Sequence, residues 1–221
     1  MYTDNAAIGR DLIEKKRSTR PLQTPGDVLN FWFDDAASDP EKLEGRNQLW
    51  WSGDEEIDRL VATRGVTLLA RLASGLAQDW AKRGAAERLA AIVAIDQFTR
   101  NIFRDTEFAF ENDALALKLC KDGLLKEEDK VLAPVKRWFF YLPLMHSENL
   151  ADQDRCVELF ENLLEDTDDA YYSTIKNALE FAIKHRDVIQ KYGRFPHRNA
   201  VLERKSTPAE LDYLAQPGAG F

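Results

Sequence analysis

The chain has three histidines, and each stands in a polar block beside an arginine or an acid. His146 lies in YLPLMHSEN, with Glu148 two residues on. His185 and His197 lie in HRDVIQKYGRFPHRNAVLERK, with Arg194, Arg198 and Asn199 around the second of them. A further block, DQFTRNIFR, puts Asp96 four residues before Arg100 and eight before Arg104. Imidazole changes charge near neutral pH, so His146, His185 and His197 are candidate bases or metal ligands, and Asp96 and Glu148 are candidate acids, bases or ligands. Guanidinium groups grip carboxylate or phosphate through paired N–H donors, which makes Arg100, Arg104, Arg194 and Arg198, with Asn199, candidates for holding an anion.

Charge supports the anion reading. The stretch from His185 to Lys205 carries six basic against two acidic residues in a chain of net charge −8. A basic island in an acidic protein points to an anion-facing surface. Four arginines near a metal ion would raise its electrostatic cost, whereas they favour an anion directly. The expectation is therefore a small anionic molecule or a peptide carboxylate as partner, with no metal and no cofactor.

Plainer readings stay open. Asp96 could pair with Arg100 only to finish its helix, Ser147 and Asn149 could cap the next one, and the 194–199 loop could be a solvated basic loop. An enzyme, for instance a metal-dependent hydrolase using Asp96, Glu148 and the histidines, is the second reading, and a structural or interaction protein the third. No GxSxG, P-loop, HExxH or dinucleotide fingerprint supports the enzyme.

These residues must be positioned by helices. Thr24-Pro25-Gly26-Asp27 has the order of an N-cap, a proline at the first helical position and an acid at the third. Residues 34–47 read as a loop or short helix before the Trp50-Trp51 pair. A helix from Asp54 should stop near Gly75. The stretch 85–100 is apolar nearly all round, which predicts the central helix, with Leu89, Ile92, Val93, Asp96 and Arg100 on one face. Helices follow over 109–124 and over 134–145, the latter disturbed by Pro143. Asn149 with Asp152 predicts a cap, and 169–192 a long helix closed by Gly193. On that helix Phe181, His185, Val188 and Tyr192 are predicted to share the buried face. Ile92 and Phe181 should be core, and truncating Arg198 should cost little. Thr207 and Glu210 form a capping box for a last short helix. No segment alternates as a strand, so the fold class is all-α, built of antiparallel helix hairpins.

Composition limits the rest. With 221 residues, 44% of them hydrophobic, the chain can bury a large core, and the expectation is a leader over 1–22 followed by one helical domain over 23–221. Cys120 and Cys156 stand singly without CxxC spacing, as buried thiols of a reducing compartment do. No apolar run nears the roughly 18 residues that span a membrane, and no signal peptide is visible. A cytoplasmic location is expected. A pI of 5.1 argues against nucleic acid, and the composition against a membrane partner.

The strings DQFTRNIFR, FYLPLMHSENLADQ and HRDVIQKYGRFPHRNAVLERKSTPAEL, with VLNFWF and the Trp pair upstream, resemble a bacterial family catalogued as a domain of unknown function, number nine-two-four. The resemblance covers residues 25–215. It implies a tetratricopeptide-like hairpin array and carries no residue roles with it. The family pattern usually has Gly where this chain has Glu203.

Overall fold

The computed structural model describes residues 19–220; the expected leader falls largely outside that range. Its last residues are tied down, since Leu22 is buried and its N–H donates to the Arg64 carbonyl at 2.8 Å. Helix α1 (Pro25–Trp32) begins with the predicted box: Thr24 accepts from the Asp27 N–H and the Asp27 side chain accepts from the Thr24 N–H. The 34–47 stretch is more ordered than the loop reading allows. Asp39 caps a 3₁₀ turn, Pro40–Lys42, that runs into α2 (Leu43–Trp51).

Helix α3 (Glu55–Arg71) is capped by Asp54 and continues through a kink into α4 (Ala77–Ala81). Gly75 makes that kink at φ 118°, a conformation that L side chains rarely adopt. By length and mean hydropathy the stretch Glu55–Ala81 could cross a membrane, although charged residues interrupt its apolar run. Here its apolar side, Ile57, Leu60, Val61, Leu68 and Leu69, lies in the protein core.

The central helix α5 (Ala85–Ile92) is touched by α1, α4, α7 (Asp113–Leu124) and α8 (Pro134–Met145). It does not run on as one α-helix. A π-helical turn, Val93–Phe98, intervenes before the short α6 (Thr99–Ile102). The wider turn buries every side chain from Leu89 to Thr99, so Asp96 is enclosed and not at the edge of a stripe. Arg88, also buried, donates to Glu128 at 2.6 Å and to the Leu119 and Ala81 carbonyls, which satisfies its charge inside the core.

Helices α8, α9 (Leu150–Glu165) and α10 (Asp169–Tyr192) pack as successive hairpins joined by short corners. The buried face of α10 is Tyr171, Ile175, Ala178, Ala182, His185, Val188 and Ile189. Phe181 lies off that face at 39% exposure, with the Lys184 ammonium over its ring, which corrects the predicted stripe. Gly193 closes the helix at φ 70°, and α11 (Pro208–Leu214) opens on the Thr207–Glu210 box. The Trp pair divides its roles. Trp50 is buried, while Trp51 is 47% exposed and stacks on Trp138 and Phe139. Among the described residues there is no strand, and the fold is all-α.

Ile92 is fully buried beside the π turn, so Ile92→Ala is expected to cost about 2–5 kcal/mol in a urea titration, against about 1 kcal/mol for Phe181→Ala. Equal losses would contradict this placement of the α10 face.

Candidate functional site

The π turn delivers Asp96, 1% exposed, to the corner where α8 ends. There Asp96 Oδ1 meets His146 Nδ1 at 2.8 Å. Gln97 Nε2 donates to Oδ2 at 2.5 Å, and Arg100 Nη1 donates to the Asp96 carbonyl at 2.7 Å and lies 3.2 Å from Oδ1. Burial opposes ionisation of Asp96, yet the Arg100 charge and the His146 and Gln97 contacts hold its carboxyl well below the usual carboxylate range. For His146, burial and the Arg100 charge outweigh Asp96 and lower its affinity for a proton. A carboxylate at Nδ1 fixes the neutral ring with its proton on Nδ1 and its lone pair on Nε2.

The corner that presents His146 is built by Pro143, which the sequence marks, and by Gln153, which it does not. Pro143 sits inside α8, and the helix runs two residues beyond it. The fully buried Gln153 then donates from Nε2 to the Met145 and Ser147 carbonyls at 2.6 and 2.7 Å, taking up acceptors that the helix end leaves open. The predicted Asn149 cap is present. Asp152 turns away from it to Ser147 and Lys121, so no capping box forms.

The FPHRN loop closes the other side. Arg198 Nη2 donates to the His146 carbonyl at 3.1 Å and Nη1 to Asp113 at 3.3 Å, with its guanidinium over the Phe110 and Phe195 rings. Arg100 Nη2 reaches the same Asp113 carboxylate at 3.0 Å. Burial, and then the nearby Arg100 charge, lower Arg198 to about 10, which leaves it charged at neutral pH. At 7% exposure Arg198 is no part of a solvated loop, so its truncation is not cheap, contrary to the sequence expectation.

Glu148 anchors this loop. It accepts from the Phe195 N–H at 2.8 Å and from both Nη atoms of Arg204 at 2.7 and 3.0 Å; Arg204 also reaches Asn199 Oδ1 and the Phe195 carbonyl. Burial raises the Glu148 proton affinity, but Arg204 and the Phe195 N–H outweigh it and keep the group ionised, which suits an anchor better than a base. Asn199 holds the loop as well, donating to Ser206. Glu203, where the resemblance noted in the sequence implies a glycine, has φ 53°, the left-handed conformation that glycine adopts without steric cost.

The three blocks therefore meet. Asp96, Arg100, His146 and Arg198 are in contact; the His185 ring lies 6.4 Å from that of His146, and Phe195 stands between His185 and His197 at 5.6 and 5.5 Å. Arg104 and Arg194 belong to other clusters. Arg104 is bound to Asp58 at 2.6 and 2.9 Å. Arg194 is bound to Glu210 at 2.6 and 2.8 Å, beside a cleft of about 510 Å³ that Lys191, Tyr192 and Thr207 also line. Asp113, Phe110, Gln97, Gln153 and Arg204 were missed as site residues. Asp113 and Phe110 carry no local signal, because only the tertiary fold brings them to the arginines. Among the described residues no three His, Cys, Asp or Glu side chains are grouped to hold a metal ion.

Burial pushes the His185 imidazole down to about 3 and, with the Arg198 charge, His197 down to about 4. Unfolded histidine takes up its proton near 6.5, so below that pH the unfolded chain binds more protons and stability falls. Each such group contributes up to roughly 1.4 kcal/mol per pH unit. In urea titrations between about pH 6.5 and about pH 4, His185→Gln is expected to flatten the decline by about that amount. An unchanged slope would contradict the assignment of His185 as a buried neutral imidazole.

Residues 28–218 match the family described as bacterial protein of unknown function, DUF924. A solved structure, a protein of unknown function from Agrobacterium tumefaciens named ATU0120, is 31% identical to the chain. It superposes with a TM-score of 0.71, over 86% of this chain and 96% of that one. Among curated proteins none matches. With nearly its whole helical part matched, and with the three polar blocks inside the matched residues, the chain belongs to the DUF924 family.

Proposed function

We propose that the protein binds a small organic anion, a carboxylate, at the junction of Arg100, His146 and Arg198. The observation that carries this reading is the convergence of two guanidinium groups on the single Asp113 carboxylate beside His146. Two guanidinium groups own ten N–H donors, and among the described residues four hydrogen bonds from them are made. Arg100, 20% exposed at its side chain, and His146, at 15%, reach the surface of the cluster. Asp96 and Asp113 already balance Arg100 and Arg198, so a singly charged carboxylate is favoured over a phosphate dianion.

The stacked hairpins are read as a tetratricopeptide-like array whose corner holds the ligand. The net charge of −8 and the unpaired thiols favour a cytoplasmic protein without nucleic-acid or membrane partners. A second reading, an acid–base enzyme, is favoured by the Asp96–His146 hydrogen bond and would use the same bound anion.

A ligand that binds only the folded chain stabilises it by about 2.7 kcal/mol at a hundred times its Kd. Acetate is therefore expected to raise the melting temperature above that in chloride of equal ionic strength. Arg198→Lys keeps the charge but loses the planar fork, and should remove most of the rise. No rise with acetate, or an equal rise in Arg198→Lys, would overturn the reading.

A further inference from the structure

We infer that the carboxylate ligand is a hydroxy acid, whose hydroxyl donates to His146 Nε2 while its carboxylate faces the arginines. The inference rests on the anion reading above and adds the ligand's second functional group. Three observations carry it. The Asp96 carboxylate, buried and ion-paired, occupies His146 Nδ1 at 2.8 Å, which leaves Nε2 as an acceptor. Among the described residues Nε2 makes no hydrogen bond, and it is not one of the fully buried polar atoms that lack a partner. The same residue's carbonyl is held by Arg198, so the acceptor and the guanidinium donors are fixed within one short span.

A lone pair beside two arginines sets a narrow requirement. A plain carboxylate offers acceptors only, so it matches the guanidinium groups and leaves Nε2 facing another acceptor or nothing. The missing group must be a hydrogen-bond donor. An ammonium would supply one, but its positive charge would lie beside Arg100 and Arg198 and be repelled. A hydroxyl supplies the donor without charge. Sites that hydrogen-bond a ligand hydroxyl discriminate strongly against the analogue without it, because the site's polar group is then left unpaired.

Calorimetric titration with matched pairs tests this: glycolate against acetate and lactate against propionate, with glycine as the ammonium analogue. The hydroxy acids are expected to bind about tenfold or more tightly than their deoxy partners, and glycine more weakly than acetate. In His146→Asn the side-chain amide can still donate to Asp96 but has no counterpart of Nε2. The preference should fall to about twofold or less. Equal affinity for glycolate and acetate in the unmodified protein overturns the inference alone, and so does glycine binding more tightly than acetate. Absence of binding by any of the acids overturns it together with the anion reading. Should His146→Asn fail to fold, the comparisons in the unmodified protein decide the matter.

Discussion

An ionised carboxylate enclosed in the core must be compensated where it stands, and Asp96 is that carboxylate. Placing an unpaired charge in such a position costs several kcal/mol after relaxation, more than most single contacts return. Here the compensation comes from three directions: Gln97 from the same turn, Arg100 from the next, and His146 from the end of α8. None of the three can move far without exposing the charge. The requirement therefore fixes the π turn, the angle at which α8 ends, and the orientation of the imidazole together.

Compensation then spreads outward. Arg100 is shared with Asp113, Asp113 with Arg198, and Arg198 closes the ring on the His146 carbonyl. Phe110 and Phe195 cover the Arg198 guanidinium, which strengthens these contacts by keeping water out. Glu148 and Arg204 tie the loop bearing Arg198 back to the same corner. Such half-buried, multiply bonded pairs differ in kind from exposed ones such as Arg59–Glu55 and Lys82–Asp79, which sit in water and contribute little. The site is thus an extension of how the core tolerates Asp96.

Much of this was legible in the chain. Thr24, Thr207 and Gly193 announced helix ends because caps depend on a few neighbouring residues, and the apolar run before Asp96 announced the central helix because burial on all sides leaves no polar face. The three polar blocks were visible as departures from that apolar background. What escaped notice was set by tertiary geometry. The π turn inserts a change of phase that the 3.6-residue period cannot show. Phe181 looked like core because it is apolar at a helical spacing from His185, yet α9 and α8 meet α10 on the neighbouring face. Truncation of Arg198 reads as cheap in the sequence because its carboxylate partner, Asp113, lies 85 residues away.

The site depends most on the state of one ring, neutral His146 with its proton on Nδ1. Nitrogen-15 NMR of the histidine-labelled protein at neutral pH, assigned with His146→Asn, reads that state directly. A protonated Nδ1 and an unprotonated, acceptor-type Nε2 are expected for His146. A proton on Nε2, or a fully protonated imidazolium at neutral pH, would contradict it.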